Sequence, residues 1–574
     1  MKTLSDSYRK ATEGSVIQSV DYDMQITLGI IDYGATNKAA VDITNENTNY
    51  EPIYADTDND GYADIEIINK SADDVKKKYA SFEQDSFILD PLLRESNTLA
   101  LYGSPETDDL YQGYISDTVC DTNGIFETPP KLTVRFKDNE LCDIYGLTFY
   151  FDHISGVYAK RMKISTTMED GTELSQIVEN EGNIVFEYIP TPDAGGRTPL
   201  NGFSSLCIEF LELNKANSRV RLFKLSLGVL RTFLSDDMVD TFTHTIDLDV
   251  TSRRLPQQKM SFSVRNNEMF EPDSANNVTR YLEEEQPVTA TLTVHYLDGS
   301  PDDTVKLCDM LMVGDYSSDG TKVTFNAVSY LQNANDKFNF KDFTNASGSE
   351  PHTLMELLTG DDGIFSQMKL SKTADHLDRW VLDDCLNDYS VPTGFDPGDL
   401  TLKECVQLIA MAACCILYED CDGRIHIEHM PNTKGMDYTY DKMFSEPVLT
   451  RYPALKEVNV WWYDGNEKGV VNSDLGRYSN PYCYENSSSG ETEEIDNIFI
   501  QSYEQAQEVA AFIAGQLRKR NEYKVEVISG LETDTLDIGV LETKYDKNTE
   551  SMIIEKSLKY DGAVNTDLVF IMDR

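Results

Sequence analysis

The sequence has no run of about 18 or more apolar residues, so it predicts no helix that spans a bilayer. The first residues, Met1 to Ser5, are followed by Asp, Tyr, Arg and Lys instead of an apolar segment, and we therefore expect no secretory signal. Prolines number only 19, while 40% of the residues are hydrophobic and 10% aromatic. This composition predicts folded cores and excludes a disordered chain.

The cysteines include no Cys-x-x-Cys pair, which argues against a zinc knuckle and against a thioredoxin-like site. The ten cysteines stand at positions 120, 142, 207, 308, 385, 405, 414, 415, 421 and 483. Cys405, Cys414 and Cys415 fall in an apolar stretch of helical period, where a free thiol behaves as a small hydrophobic side chain. We expect all of them to be reduced, as in a protein that folds in a cytoplasm.

Cations are scarce relative to carboxylates. The chain has 50 Lys+Arg against 99 Asp+Glu, a formal net charge of −49. Binding to a phosphate backbone needs clustered cations, so specific nucleic-acid binding is not expected. Two interpretations of the charge stay open: solubility through mutual repulsion, or a conduit through which nucleic acid slides without sticking.

Known catalytic motifs are missing as well. The sequence contains no G-x-S-x-G, no H-E-x-x-H, no P-loop and no Cys-His pair at a known spacing. Among so many carboxylates, Asp/Glu pairs arise by chance, so a glycosidase dyad cannot be inferred. His426 and His429 lie three apart on a predicted strand and face opposite sides, which favours structural roles over a shared metal. We predict that the chain is not an enzyme.

What the sequence does contain is a series of short strands. Its 574 residues are too many for one core and suggest roughly three to five domains. In the stretch 253–331, Met260–Val264 and Val288–Val294 alternate in polarity, and Asp298-Gly299 and Asp319-Gly320 supply turns. With Val323–Ala327 they predict a small β-barrel or sandwich.

Residues 101–235 predict a β-sandwich, because their strand-like runs can each turn alternate side chains to one core. The longest runs are Phe126–Phe136, Leu147–Asp152 and Arg219–Gly228. Their order is similar to a galactose-binding-like jelly roll, a fold often used to bind carbohydrate. Tyr111, Tyr114 and Tyr158 could stack on sugars, or could be half-buried core residues with a wet hydroxyl.

Two helices are predicted towards the end of the chain. Thr401-Leu-Lys-Glu404 forms a capping box, and apolar residues follow it at spacings of three and four. A hairpin comes next, with its turn at Asp420–Gly423. Ser502 begins a second helix, whose apolar face includes Val509 and Ile513, and strands near Lys524–Val527 and Met552–Lys556 follow.

One candidate metal site stands out. Asp56, Asp58, Asp60 and Asp64 occupy positions 1, 3, 5 and 9 of a calcium-loop spacing with Gly61 at position 6. Position 12, which should be a bidentate Glu, is Ile67, and Glu66 is one step off. Calcium binding and an acidic surface turn both remain open.

Several motifs resemble one protein family. Arg253-x-Leu-Pro256, S-F-S-V-x-N from Ser261, Y-L-E-x-x-Q-P-V from Tyr281 and S-S-D-G-T-x-V-T-F from Ser317 are similar to the first hub domain of tail hub proteins in phages and prophages of Gram-positive hosts. Further matches are K-Y-A-x-x-E followed by Leu89-Asp90, and the capped helix with its D-x-D-G-x-I-x-I hairpin. The family's G-D-x-V motif is replaced by Asp537-Ile-Gly-Val540, which puts the local turn in doubt.

The resemblance implies a multidomain, mainly β protein with an α+β insertion, in which hub-like β-barrels accompany the jelly-roll sandwich. The implied domains are an N-terminal β-rich segment (1–100), the sandwich (101–235), a first hub barrel (236–345), an α+β domain (346–435) and a second hub barrel with a helix (436–574). It further implies a homotrimer in a virion tail, folded in the host bacterial cytoplasm, that joins tube or distal tail proteins to a tip or fibre.

Two other functions stay open. The sandwich could make the chain an adhesin that binds host-surface carbohydrate, or the chain could be a tail-associated lysin. Longer relatives append a peptidoglycan-cleaving domain after the hub, whereas this sequence stops at Arg574, directly after the last hub-like strand. The lysin is therefore the less favoured alternative.

Overall fold

The computed structural model describes most of residues 114–572, and before them residues 4–5, 7–8, 11, 20–31, 39–42, 80–83 and 86–89. The gaps after residue 114 are 117, 137–140, 152–155, 192–197, 267–269, 271–277, 279–280, 283–284, 315, 348–350, 371–376, 394, 454, 466, 469–476, 481–489 and 546–548. The described chain is mainly β, as predicted. None of the helices in this part has the length and apolarity needed to cross a bilayer.

The strands before the middle of the chain are β1 (Val20–Ile31), β2 (Ala39–Asp42), β3 (Ala80–Glu83), β4 (Ser86–Leu89), β5 (Tyr114–Ile115), β6 (Lys131–Phe136), β7 (Cys142–Asp143), β8 (Leu147–Phe151), β9 (Ala159–Met168), β10 (Glu173–Glu179), β11 (Val185–Tyr188), β12 (Asn201–Leu213), β13 (Arg221–Ser226), β14 (Gly228–Leu234), β15 (Phe242–Asp247), β16 (Gln257–Arg265), β17 (Pro287–Tyr296), β18 (Asp303–Met312), β19 (Ser317–Ser318) and β20 (Lys322–Val328). The later strands are β21 (His352–Thr353), β22 (Trp380–Leu382), β23 (Ser390–Val391), β24 (Ile416–Glu419), β25 (Ile425–Glu428), β26 (Val448–Arg451), β27 (Leu455–Trp461), β28 (Tyr463–Asp464), β29 (Glu467–Lys468), β30 (Arg477–Asn480), β31 (Glu491–Asp496), β32 (Asn521–Ile528), β33 (Ile538–Leu541), β34 (Thr549–Tyr560) and β35 (Val564–Met572). The helices are α1 (Tyr330–Asn333), α2 (Phe340–Ser347), α3 (Leu354–Thr359), α4 (Ile364–Met368), α5 (Leu402–Ala412) and α6 (Tyr503–Leu517).

The chain divides into two compact units, the second of which comprises residues 28–231 and 268–286. Two antiparallel sheets make up this unit, in the orders β10-β9-β12-β6-β2 (with β7 on β12) and β11-β8-β13-β5. Alternate residues of β12, such as Leu206 and Ile208, are buried and share a core with Phe149 of β8. The predicted sandwich is confirmed, and its jelly-roll connectivity stays a prediction.

The first unit comprises residues 1–27, 232–267 and 287–574. Its main sheet follows the order β14-β1-β17-β18-β20-β16-β15-β34-β35-β32-β26, with β19 on β20 and β33 on β34. Residues 232–234 of β14 and residues 20–27 of β1 are the parts of these two strands that belong to this unit. Burial alternates strictly along β17: its valines, Ala290 and Leu292 are buried, whereas its threonines are half-buried. Strands β15 and β34 pair along their whole overlap, from Phe242 opposite Tyr560 to Asp247 opposite Glu555.

The helices of the first unit share one core with its smaller sheets. Thr401 caps the N-terminus of helix α5: its side chain accepts from the Glu404 N–H, while the Glu404 carboxylate accepts from the Thr401 N–H. The predicted capping box is therefore confirmed, and it satisfies N–H groups that the first helical turn leaves without partners. Helix α6 packs in the same core, where the Gln505 side chain donates to the Ala412 carbonyl across 3.0 Å.

A three-stranded sheet, ordered β22-β25-β24, continues from helix α5. Strand β22 is parallel to β25, whereas β24 is antiparallel to it. The ends of β22 and β25 and the beginning of β24 therefore meet at one edge of the sheet. At the opposite edge is the predicted hairpin turn, where the Asp420 carboxylate accepts from the N–H groups of Asp422 and Arg424.

Candidate functional site

A buried carboxylate marks the first candidate site. Strand β18 places Asp309 between the buried side chains of Cys308 and Met310, and Asp309 itself is only 7% exposed. A buried charge is costly unless a partner compensates it. Arg379, which is 4% exposed, supplies that partner, with its Nη2 3.3 Å from Asp309 Oδ2.

Tyr330 completes the surroundings of this ion pair. The Arg379 guanidinium lies over the Tyr330 ring, 3.8 Å from its centroid. The Tyr330 hydroxyl donates to Asp309 Oδ1 across 3.2 Å. A cation over an aromatic face and a hydroxyl on the carboxylate both offset the loss of hydration that burial imposes.

The hairpin turn between β24 and β25 docks on the same group. Gly423 has a φ of 68°, and a Cβ at this position would lie 2.7 Å from Arg379 Nη1, so only glycine fits. Arg379 Nη1 donates to the Asp422 carbonyl across 2.8 Å, and Lys306 Nζ donates to Asp422 Oδ1 across 2.7 Å. A group of six polar residues connects the hairpin to the main sheet, and we call it the polar joint. Its members are Lys306, Asp309, Tyr330, Arg379, Glu419 and Asp422.

Glu419 is a buried carboxylate of the polar joint. It is 4% exposed and accepts the Leu331 N–H across 3.1 Å. Burial raises the pKa of Glu419 to about 7, because its environment disfavours the charged form.

A cavity of about 180 Å³ adjoins the polar joint. Its lining includes His244, Glu419, Asp420, Asp537 and Lys556. The Lys556 ammonium donates to the Thr533 carbonyl and lies 3.9 Å from Asp534 Oδ1. These two contacts fix its position. Burial raises the pKa of the Asp537 carboxyl. The charged residues of the lining thus come from both the sheet and the hairpin.

The second candidate site is the exposed edge of the main sheet at β26. All four residues of β26 are exposed, and its one ladder within the described chain is with β32. Large apolar side chains are exposed along it: Phe444 is 56%, Val448 65%, Leu449 40% and Tyr452 50% exposed. We call these four residues the apolar edge. Open strand edges pair readily with other chains, and contiguous exposed apolar groups mark interaction surfaces.

Prolines delimit this edge. Pro447 and Pro453 stand on either side of β26, and neither has an N–H to donate to a neighbouring strand. Any strand added to this edge would therefore be restricted to a short ladder, in which apolar side chains contribute most of the contact.

The residues singled out from the sequence fall in different places. Asp56, Asp58, Asp60, Asp64 and Tyr111 lie outside the described residues, so the calcium site stays a prediction. Of Tyr114 the structure describes only the backbone, in β5. Tyr158 is half-buried against the sandwich core, and sugar binding by this unit also stays a prediction.

The two histidines contact different partners, as the strand spacing predicts. His426 stacks on Tyr418, with its Nε2 2.9 Å from Asp420 Oδ2. His429 instead places Nδ1 2.8 Å from Asp383 Oδ2. The polar joint itself was missed in the sequence, although one signal was visible: Asp309 is a single charge in the apolar run L-C-D-M-L-M.

No family model matches the chain, and no curated protein matches it in sequence. Similar solved structures include the 43 kDa tail protein of prophage MuSo2 from Shewanella oneidensis, at a TM-score of 0.39 and 10% identity over 60% of this chain and 95% of that one. A tail protein from Neisseria meningitidis MC58 has a TM-score of 0.37 and 9% identity, covering 58% of this chain and 92% of that one. The prophage tail protein gp18 from Listeria monocytogenes EGD-e has a TM-score of 0.35 and 9% identity, over 59% and 91%.

Proposed function

We propose that this chain is a structural hub or tip protein in the tail of a phage or phage-derived injection particle. In this role it joins the tail tube to the tip and surrounds the axial conduit as a homotrimer. The observation that carries the proposal is the main sheet, in which β15 and β34, far apart in sequence, are direct neighbours. The hub-like motifs fall on its strands, since Met260–Val264 lies in β16 and Val288–Val294 in β17.

The apolar edge supplies the surface through which the chain assembles. In a ring, each subunit must present a surface that a neighbour can cover, and rings close through repeated identical contacts. Val448 and Leu449 lie on the last strand of the main sheet as described, whose outer side offers both backbone hydrogen bonds and apolar area to such a neighbour. Tube and tip proteins of the tail are the further partners in this proposal.

The charge balance fits a conduit. A net charge of −49 repels the phosphate backbone of DNA, so nucleic acid could pass the protein without being retained. We infer a scaffold and not an enzyme, because four charged members of the polar joint form ion pairs with one another, Lys306 with Asp422 and Arg379 with Asp309, and these pairs stabilise the docking of the hairpin. In this proposal the chain is located in the tail of a virion or of a virion-derived particle.

The test uses the full-length chain, light scattering and electron microscopy. We expect the wild type to form a trimer that appears as a ring with a central hole. Val448→Glu places a charge on the apolar edge and should give a monomer with an unchanged melting temperature, because the side chain is already exposed. Leu297→Glu is the matched control, since Leu297 is 68% exposed but lies in the turn between β17 and β18.

A wild type that stays monomeric at high concentration, and also with its tail partners present, would contradict the proposal. A trimer that Val448→Glu leaves intact would keep the hub function but exclude the apolar edge as its interface.

A further inference from the structure

Two thiols and one imidazole converge at an edge of the β22-β25-β24 sheet. The Sγ atoms of Cys385 and Cys415 are 3.4 Å apart, and together with a ring nitrogen of His429 the three ligand atoms all lie within 4.8 Å of one another. Neither cysteine is in a disulfide. Within the described part of the chain, this is the one group of at least three His, Cys, Asp or Glu side chains close enough to hold a metal.

The topology of the sheet creates this convergence. Cys385 follows the end of β22, Cys415 directly precedes β24 and His429 directly follows β25. Because β22 and β25 are parallel and β24 is antiparallel to them, these three positions lie beyond the same edge. The Asp383 N–H donates to the Ile427 carbonyl across 3.0 Å, so the parallel ladder extends up to the group.

Asp383 fixes two of the three ligands. Its Oδ1 accepts the Cys385 N–H across 2.9 Å and begins the 3₁₀ turn that carries this cysteine. Its Oδ2 lies 2.8 Å from His429 Nδ1. Histidines that bind metals commonly have a carboxylate on the other ring nitrogen, which sets the orientation of the ring.

We propose that Cys385, Cys415 and His429 bind a thiophilic divalent cation of the Zn²⁺ class, with Asp383 as a positioning residue. Two thiolates and one imidazole are a ligand set that Zn²⁺ accepts, leaving a fourth position for water or another group. With Zn–S bonds near 2.3 Å, tetrahedral geometry requires an S–S separation of roughly 3.8 Å. The observed 3.4 Å needs only a small adjustment.

Access and burial both suit a structural site. Cys415 is fully buried and Cys385 half-buried, whereas the His429 side chain is 60% exposed. An ion can thus reach the site past the exposed side chain of His429 and bind the buried thiolate of Cys415. Once bound, it would connect the three strand ends and stabilise the α+β part of the first unit.

The test titrates reduced, EDTA-treated full-length protein with Zn²⁺ in a calorimeter and with Co²⁺ in a spectrometer. We expect one equivalent to bind, with a thiolate-to-cobalt charge-transfer absorption. Asp383→Asn should weaken Zn²⁺ binding about 10- to 100-fold, as expected for a residue that orients a ligand. Cys385→Ser and His429→Ala should weaken it further, because each removes a ligand atom. Cobalt bound by carboxylates alone gives no such absorption, so the candidate calcium residues do not interfere.

Cys421→Ser and His426→Gln are matched controls in the same hairpin and should retain full binding. The far-ultraviolet circular dichroism of every variant, recorded without metal, checks that it is folded. The proposal is overturned if folded, reduced protein binds no Zn²⁺ or Co²⁺ at one equivalent. It is also overturned if binding survives in both ligand variants, or if a Cys385–Cys415 disulfide forms in the native protein and the reduced form still binds no metal.

Discussion

Arg379 and Asp309 form an ion pair whose side chains are only 5% and 8% exposed, with 3.3 Å between Nη2 and Oδ2. One partner comes from the main sheet and the other from the segment that leads into β22. A pair this buried contributes little net stability by itself, but removing one partner leaves an uncompensated charge in an apolar environment. Folding therefore requires the segment before β22 to dock correctly on the main sheet, because only then does each charge compensate the other.

Asp309→Ala should lower the free energy of unfolding by about 3–5 kcal/mol, because it leaves the Arg379 guanidinium buried without its carboxylate. The measurement is urea denaturation followed by fluorescence. Asp399→Ala is the control: its pair with Lys337 is highly exposed, and its loss should leave the midpoint almost unchanged. Equal midpoints for the two variants would show that the pair has no structural role.

Local signals in the sequence were sufficient for single elements. The capping box at Thr401 and Glu404 was predicted because both partners lie in one turn of chain, and the structure confirms it. The predicted strands Met260–Val264 and Val323–Ala327 are confirmed within β16 and β20 for the same reason, since their period of two is local.

Pairings between distant segments could not be predicted. Nothing in the sequences of β15 and β34 specifies that they are neighbours, because many strands of similar composition could pair equally well. Helix α6 was recognised as a helix, but its packing in one core with α5 depends on tertiary contacts. The convergence of Cys385, Cys415 and His429 was missed for a related reason: metal-binding motifs are recognised by short spacings, and here a sheet brings the ligands together.

A pH dependence is expected from Glu419. Its pKa in the folded protein is raised from 4.5 to about 7, so the folded state binds this proton more tightly than the unfolded state. Its contribution to stability is therefore full below pH 4.5 and is lost as the pH rises towards 7. Glu419→Gln cannot ionise and keeps an oxygen to accept the Leu331 N–H.

The comparison to make is the unfolding free energy of wild type and Glu419→Gln between pH 4.5 and 8. Wild type should lose on the order of 3 kcal/mol relative to the variant across this range, from about 1.4 kcal/mol per unit of pKa. Parallel pH profiles for the two proteins would contradict a raised pKa at this carboxyl.

Ile409→Asp tests the packing of helix α5. Ile409 is fully buried in the core of the helical region, which confirms that the apolar face of this helix docks within the chain. A carboxylate at this position has no partner, and we expect a loss of several kcal/mol of stability.

Lys403→Asp is the control on the same helix. Lys403 is half-buried and donates to the Gln332 carbonyl, so its replacement should cost only about 1 kcal/mol. Equal melting temperatures would show that the helix does not depend on this core.

Calcium is the last expectation to test. If Asp56, Asp58, Asp60 and Asp64 surround one ion, calcium should raise the melting temperature, because a ligand that binds only the folded state stabilises it by mass action. Since Ile67 replaces the bidentate Glu of position 12, we expect weak binding, with a Kd of about 10⁻⁴–10⁻³ M. Asp58→Asn should weaken it further, whereas Glu66→Gln, one position away from the ligand spacing, should not. Calorimetry without a binding signal, together with identical melting in calcium and in EDTA, would mean that these residues form an acidic surface turn.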